Sequence, residues 1–281
     1  MTHEIGSLDA PGDVTLFTRR WTPDGPVRAV VVIVHGIHEH SGRYAYVAST
    51  LMRRGIAVHA LDLRGHGQSS GARGQIQGFD EFLDDVQTHL AEVRAQAGDL
   101  PLVLLGHSMG GLVVASYVVE RGTEGLAGVV LSSPLLKVPD GTPALLLKAL
   151  PIVSRWLPRA PVDRLDLSGL SRDPTVIRAY RDDEWTTKQG VRARTANEMA
   201  RAVERVRQRP EAFDVPLYVF HGTADTITDP AGSEWLAAHA GTDDVTLRLW
   251  EGLYHETMNE PERDEVIAAL ADWIEAHTDG A

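Results

Sequence analysis

The sequence of 281 residues contains no cysteine. This absence excludes disulfides, zinc–thiolate sites, iron–sulfur clusters and a cysteine nucleophile. Long apolar runs are also missing, since the run at residues 29–34 has only the length of a strand, whereas a membrane span needs roughly 20 residues. The first residues show neither a basic start nor an apolar stretch, so we expect no export signal and a cytoplasmic location.

A basic charge balance is a further feature that the sequence lacks. Its 27 Lys and Arg residues face 39 Asp and Glu residues, which gives a formal charge of −12. Nucleic-acid-binding proteins usually carry a basic balance, so we expect no nucleic-acid partner. With 43% apolar residues, a chain of this length buries a substantial core. The composition is therefore typical of a globular enzyme.

Short β-branched segments alternate with longer helical patterns, which is typical of a mostly parallel sheet flanked by helices. The pattern predicts strands at residues 14–21, 27–34, 56–61, 102–105, 127–131, 215–220 and 245–250. It predicts helices between or after them at residues 44–54, 79–97, 111–120, 232–239 and 261–276.

The alternation stops between residues 135 and 213, where the pattern shows helical stretches divided by prolines and predicts no strand. An insertion of this length is too long for an ordinary loop. We therefore predict an α/β core at residues 1–134 and 214–281 and a helical cap at residues 135–213.

The sequence GHSMG at residues 106–110 follows a predicted strand and precedes a predicted helix. In this context a G-x-S-x-G motif exposes a serine nucleophile on a sharp turn. The helix N-terminus adds backbone N–H groups and the positive end of a dipole. The segment has neither the Lys-Ser/Thr pair of a phosphate loop nor G-x-G-x-x-G spacing. Ser108 is therefore the predicted nucleophile.

A serine nucleophile needs a base within hydrogen-bonding reach, and the base needs an acid that orients it. In a sheet of this kind the partners follow in the order serine, acid, histidine. Asp225 and His255 come after the last two predicted strands, at the same sheet edge as Ser108. We predict a triad of these three residues. The alternatives are Asp229 as the acid, and His239 or His277 as the base.

Three histidines and a glutamate occur at positions 35–40. The segment lacks the H-E-x-x-H spacing of a zinc site, so we predict no metal, and we expect no other cofactor.

We expect the backbone N–H of Ile37 to face the carbonyl group that Ser108 attacks. The N–H of Met109 is the second predicted oxyanion donor. His35 itself is predicted to be a buried structural residue.

Together these residues resemble the monoacylglycerol lipase and lysophospholipase group of the α/β-hydrolase superfamily. The resemblance covers almost the whole chain. Its motifs are HGIHEHSGRY at 35–44, DLRGHGQS at 62–69, GHSMGG at 106–111, and the segments 222–225 and 252–255. It implies an α/β-hydrolase fold, with a mostly parallel eight-stranded sheet and a helical cap inserted before the last two strands, over an apolar acyl channel.

The resemblance also suggests which residues bind the substrate. It implies that Glu39 and Arg43 shape a polar pocket for the glycerol-like part and that the cap residue Tyr180 lies near it. Two positions depart from the pattern. Asp183 is followed by Glu184 and Trp185, whereas family members often carry Asp-Pro-Leu after the cap tyrosine, and Met258 stands where some relatives carry a polar residue.

We predict a serine ester hydrolase that cleaves monoacylglycerols or similar single-chain lipid esters to a fatty acid and an alcohol through an acyl-enzyme. The preference for monoacylglycerols follows from the resemblance alone. A short-chain carboxylesterase, a lysophospholipase, a thioesterase and an S33-type aminopeptidase stay open as alternatives.

The cap sequence at residues 142–157 is apolar around most of its circumference. One interpretation is a helix packed over the acyl channel, and the other is a helix that lies partly in a lipid interface. Residues 178–209 carry nine Lys and Arg against five Asp and Glu, a local charge of +4. We expect a lipid ester as the substrate and transient contact of the cap with a membrane or micelle surface, hence a peripheral location. The sequence leaves the oligomeric state open.

Overall fold

The computed structural model describes residues 1–138, 144–163 and 166–278. Its strands are β1 (Thr2–Ala10), β2 (Val14–Thr22), β3 (Ala29–Val34), β4 (Ile56–Asp62), β5 (Leu102–His107), β6 (Gly128–Ser132), β7 (Pro161–Asp163), β8 (Val191–Arg192), β9 (Leu217–Gly222) and β10 (Val245–Trp250). Its α-helices are α1 (Ala45–Met52), α2 (Asp80–Ala97), α3 (Met109–Arg121), α4 (Ala144–Trp156), α5 (Pro174–Asp182), α6 (Ala193–Gln208), α7 (Pro230–His239) and α8 (Arg263–Thr278).

Eight of the strands form one sheet in the order β1-β2-β4-β3-β5-β6-β9-β10. The pairs β1–β2 and β2–β4 are antiparallel, and every pair from β4 to β10 is parallel. The predicted mostly parallel, eight-stranded sheet is thereby confirmed. Because β3, β5, β6 and β9 run in the same direction, the loops that follow them meet at one edge of the sheet.

Two apolar clusters cover the two faces of the sheet. Val30 and Val32 of β3 face a cluster that includes residues of α2, α3 and α6. Val31 and Ile33, which alternate with them, face a cluster with residues of α1 and α8. Burial on both faces explains why this strand reads as a continuous apolar run rather than as an alternating one.

The sequence pattern misses three strands. It contains no signal for β1, because this strand is almost fully exposed and is ordered by antiparallel pairing with β2 along its whole length. The prediction that residues 135–213 contain no strand is wrong, since β7 and β8 form a separate antiparallel pair there. These two strands are only three and two residues long, too short to produce a periodicity.

The chain between β6 and β9 forms the inserted helical segment. Helix α6 packs against α3 of the core, and α4 packs on α6. The predicted cap before the last two strands is therefore present, while its proposed boundaries stay a prediction. The first residues of the apolar segment 142–157 lie outside the described residues.

The length and apolarity of the helices bear on membrane insertion. Across the described ranges 1–138, 144–163 and 166–278, no helix combines the length and apolarity that crossing a bilayer requires.

The turn between β5 and α3 is closely packed around two glycines. A Cβ atom on Gly106 would lie 2.3 Å from the carbonyl oxygen of Gly110. A Cβ atom on Gly110 would in turn lie 2.2 Å from the carbonyl oxygen of Val34. Both obstacles are backbone atoms, which cannot swing aside as the end of a side chain can. Glycine is therefore required where the strand and the helix approach each other.

We expect Gly106→Ala to lower the free energy of unfolding by about 1–3 kcal/mol, the usual cost of forcing an extra carbon into a packed interior. The matched control is Gly78→Ala, because a Cβ atom there meets nothing within 4 Å. Urea denaturation of both variants measures the difference. Equal unfolding midpoints for Gly106→Ala and Gly78→Ala would contradict the packing argument.

Candidate active site

Ser108 lies at the sharp turn from β5 into α3. Its backbone angles are φ 56° and ψ −119°, a conformation that residues other than glycine rarely adopt. The turn is held by backbone hydrogen bonds: the N–H of Ser108 donates to Ser132, and its carbonyl accepts from Leu112 and Leu135, at 3.0–3.2 Å. Such strain, on the order of 1–3 kcal/mol, persists only where the surroundings impose it. The sequence motif predicts this turn, and the structure contains it.

Asp225 and His255 form a buried hydrogen-bonded pair. They follow the adjacent parallel strands β9 and β10, so the two loops lie side by side. Nδ1 of His255 lies 2.7 Å from Oδ2 of Asp225. The other carboxylate oxygen, Oδ1, accepts the backbone N–H groups of Ile227 and Thr228 at 2.7 and 3.1 Å. The hydroxyl group of Thr228 donates to Oδ2 at 2.8 Å. The carboxylate is thus held in one orientation toward His255.

A second histidine, which the sequence analysis does not single out, also binds Asp225. Nε2 of His221 lies 3.0 Å from Oδ2 of Asp225, and its Nδ1 lies 2.7 Å from Oγ of Ser233. Because the ionised carboxylate of Asp225 can only accept, Nε2 of His221 carries the proton that is donated to it. His221 is fully buried. The sequence signal that could have pointed to His221 as a site residue is its position, since it is a polar residue near the end of a strand whose other residues are mostly apolar.

These contacts determine how Asp225 and His255 titrate. Burial alone would raise the pKa of Asp225, but the nearby His255 and the hydrogen bonds from His221 and His255 hold it well below its usual range. Burial alone would lower the pKa of His255, but the charge of Asp225 and its hydrogen bond raise it above 6.5, with smaller contributions from Glu256 and Glu39. The contacts therefore favour the ionised form of Asp225 and the protonated form of His255.

A cluster of ionised side chains, formed by Glu39, Arg43 and Glu256, lies beside this pair. Nη1 of Arg43 donates to Oε2 of Glu39 at 2.6 Å. Nη1 and Nη2 also donate to the two oxygens of Glu256, each at 2.7 Å. The other oxygen of Glu39 accepts from the N–H of Gly36 and the hydroxyl of Tyr44, at 2.6 and 2.8 Å. Burial alone would raise the pKa of Glu39, but Arg43 lowers it to about 2.

The cap contacts this cluster through α5. The guanidinium of Arg43 lies 4.9 Å from the centre of the Tyr180 ring. The hydroxyl of Tyr180 donates to the carbonyl of His38 at 3.2 Å. Nearby, Nε2 of His40 lies 2.9 Å from Oδ2 of Asp183. The loop after β3 therefore contacts both the core and the cap.

A small cavity brings most of the predicted site residues together. Its lining includes Ser108, His255, Ile37, Glu39, Arg43 and Tyr180. Its volume of about 20 Å³ holds about one water molecule. Asp225 lies behind His255, with which it pairs. Met109 directly follows Ser108 as the first residue of α3, and the first four N–H groups of a helix have no partner inside the helix.

The alternative triad residues lie elsewhere. Asp229 accepts the N–H of Ala231 at the start of α7 and pairs with Lys137. His239 is exposed at the end of the same helix. His277 pairs with Asp244 at the surface. The geometry therefore favours Asp225 and His255, and the catalytic roles of the site residues stay predictions.

Among the three histidines of residues 35–40, the rings of His35 and His40 hydrogen-bond to different groups, while Nε2 of His38 is buried without a hydrogen-bond partner among the described residues. His35 is fully buried, with Nδ1 2.7 Å from the carbonyl oxygen of Gly36 and Nε2 accepting the N–H of Leu63 at 2.9 Å. It is a buried, hydrogen-bonded residue, as predicted. Outside the gaps at 139–143, 164–165 and 279–281, the chain contains no group of three His, Asp or Glu residues arranged to hold a metal ion.

Comparison with known proteins identifies the family. Residues 25–262 match the family described as serine aminopeptidase, S33. The monoacylglycerol lipase of Mycolicibacterium smegmatis is 37% identical over 276 residues, which are 98% of each chain. The chain belongs to this family of α/β hydrolases.

Two further comparisons support the fold and widen the range of relatives. The crystal structure of Paleococcus ferrophilus monoacylglycerol lipase superposes on this α/β hydrolase with a TM-score of 0.84 at 31% identity, covering 93% of this chain and 99% of that one. Phospholipase YtpA of Bacillus subtilis is 37% identical over 256 residues, 89% of this chain and 95% of its own. The predicted α/β-hydrolase fold is thereby confirmed.

We expect Asp225→Asn to lower the pKa of His255 from above 6.5 to below it. The substitution preserves size but removes the negative charge, so that burial of the imidazole becomes the dominant influence. NMR titration of the histidine ring protons, with the His255 signal assigned by its loss in His255→Gln, measures the change. Asp244→Asn is the matched control, because it removes a carboxylate that pairs with His277 at the surface. An unchanged His255 titration in Asp225→Asn would refute the assigned cause.

Proposed function

We propose that this α/β hydrolase is a serine ester hydrolase that cleaves monoacylglycerols or similar single-chain lipid esters. The observation that carries the proposal is the meeting of Ser108, His255 and Asp225 at one sheet edge, with Ser108 and His255 lining one cavity. The monoacylglycerol lipase relatives, at 31–37% identity, support the choice of substrate.

The reaction proceeds through an acyl-enzyme. His255 accepts the proton of Ser108 as Oγ attacks the ester carbonyl, while Asp225 holds the imidazole and stabilises its positive charge. The backbone N–H groups of Ile37 and Met109 stabilise the negative charge that develops on the carbonyl oxygen. His255 then protonates the leaving alcohol, and a water molecule, deprotonated by the same histidine, releases the fatty acid.

The two ends of the substrate need different surroundings. Placing an apolar chain against Glu39 and Arg43 would remove water from ionised groups with no compensation. The alcohol part therefore faces these two residues and Tyr180, and the acyl chain extends toward the cap. Because the cavity at Ser108 holds about one water molecule, a lipid reaches the serine only after the cap shifts.

A lysophospholipase is the second candidate. The 37% identity to a Bacillus subtilis phospholipase over most of both chains favours it. It shares the triad and the acyl-enzyme with a monoacylglycerol lipase and differs in the alcohol that leaves.

We expect Ser108→Ala to reduce kcat/KM for monoacylglycerol hydrolysis by roughly 10⁴–10⁶-fold, because the covalent step is lost. The control is Ser116→Ala, which removes a buried hydroxyl from the same helix, α3, and should leave the rate unchanged. The assay compares monoacylglycerols, lysophospholipids, p-nitrophenyl esters, acyl thioesters and aminoacyl amides.

Two results of that assay would contradict the proposal. Near-full activity of Ser108→Ala would exclude Ser108 as the nucleophile. Hydrolysis of short p-nitrophenyl esters without turnover of any glycerolipid would indicate a carboxylesterase instead.

We also propose that the cap contacts a lipid surface through α4 and the residue after it. Ile152, Trp156 and Leu157 are 65%, 74% and 62% exposed, whereas Leu150 of the same helix is buried. Ile152 and Trp156 are four residues apart and so share one face of the helix. A large exposed apolar group beside the locally basic segment 178–209 fits an anionic membrane surface.

We expect the double substitution Ile152→Ser with Trp156→Ser to weaken binding to phosphatidylcholine–phosphatidylglycerol vesicles at least about tenfold. The variant loses the free energy gained when two large apolar side chains move from water into the lipid surface. Vesicle co-sedimentation measures the binding. The control is Leu247→Ser with Leu249→Ser, a pair on β10 that is 38% exposed at each position. Equal losses in both double variants would argue against a specific role of the cap.

A further inference from the structure

Glu256 has a position that the proposed chemistry does not explain. It directly follows His255, yet its carboxylate turns to Arg43 and accepts two parallel N–H bonds at 2.7 Å. Asn259 donates a further hydrogen bond to it, at 2.9 Å. Such a bidentate ion pair between arginine and a carboxylate is short and geometrically specific. Glu256 is therefore a charged group beside the triad, only 4% exposed.

The cluster of Glu39, Arg43 and Glu256 contains two carboxylates and one guanidinium. With Glu39 ionised because its pKa is about 2, the cluster carries a net charge of −1. All three residues line the cavity that Ser108 also lines. A charge at such a buried position is weakly screened, since little water lies between it and a ligand in the cavity.

The other titratable groups that face this cavity do not offset the charge. Burial, together with the charge of His255, lowers the pKa of His107 to about 4, so His107 is neutral near pH 7. His255 is neutral when it acts as the base, and Asp225 behind it is negative. Three of the five N–H groups of Arg43 already donate to the carboxylates of Glu39 and Glu256, so most of its donors are directed to these two residues.

We propose that Glu256 is a specificity-determining residue that sets the charge of the alcohol which the site accepts. Together with Glu39 it gives the alcohol side of the cavity an excess negative charge. Uncharged alcohols with hydroxyl groups donate hydrogen bonds to the carboxylate oxygens, whereas a phosphate-bearing alcohol is repelled by them. This inference rests on the proposed function, because it concerns the leaving alcohol of the same reaction.

The test compares two esters that share the acyl chain and the glycerol and differ by one anionic phosphate group, 1-octanoylglycerol and 1-octanoylglycerol 3-phosphate, both below their micelle concentrations. For the unaltered enzyme we expect kcat/KM to be at least about 100-fold higher for the uncharged ester. In Glu256→Gln this ratio should fall at least about tenfold. The ratio is formed within each variant, so a loss of folded protein or a shift in the His255 titration affects both esters alike and cancels.

Glu262→Gln is the matched control, because it removes the same charge six residues further along the chain. Glu262 pairs with Arg172, and its side chain is 39% exposed. We expect this variant to retain the ratio of the unaltered enzyme.

The outcomes separate the two proposals. An equal ratio in Glu256→Gln and Glu262→Gln would overturn the role of Glu256 and leave the proposed function intact. Equal hydrolysis of both esters by the unaltered enzyme would do the same. If the unaltered enzyme cleaved neither these esters nor longer monoacylglycerols, the proposed function itself would fail, and this inference with it.

Discussion

The parallel pairing of β5, β6, β9 and β10 is the constraint on which the candidate site depends. Parallel strands end at the same edge of a sheet, so loops that are far apart in the chain become neighbours. The loop after β9 supplies Asp225 and the loop after β10 supplies His255, while the turn after β5 supplies Ser108. Asp225 and His255 are in contact, and His255 lines a cavity with Ser108, because the backbone ladder holds the strands in register. The glycine packing at the β5–α3 turn holds the serine at the edge.

Two sets of buried charges flank His255, and the protein stabilises them differently. Asp225 is held by His255, His221 and Thr228, so that its charge stays next to the imidazole that it orients. In the second set, the two carboxylates around Arg43 carry one negative charge more than the guanidinium balances. Buried charges without partners are very costly, and each carboxylate here has at least two donors. The same hydrogen bonds that make these charges tolerable also fix their positions relative to the cavity.

Much of the fold and of the site could be predicted from local sequence signals. The central strands are recognisable because burial on both faces requires continuous apolar residues, and Ser108 is recognisable because its turn requires glycines. The exposed strand β1 could not be predicted, because its order comes from pairing with β2 and leaves no apolar pattern. The contacts of His221 could not be predicted either, because the local sequence does not show what the ring of a histidine at a strand end contacts.

The sequence alone determined which residue types stand after which strands, and therefore the identity of the predicted nucleophile, acid and base. Local propensity and the order of elements suffice for this, because each of those residues follows its own strand directly. Only the tertiary structure decided that Glu256 turns to Arg43, that Tyr180 covers this pair, and that the cavity holds about one water molecule. These features depend on contacts between segments more than 100 residues apart, and the direction of such side chains is set by packing rather than by local sequence.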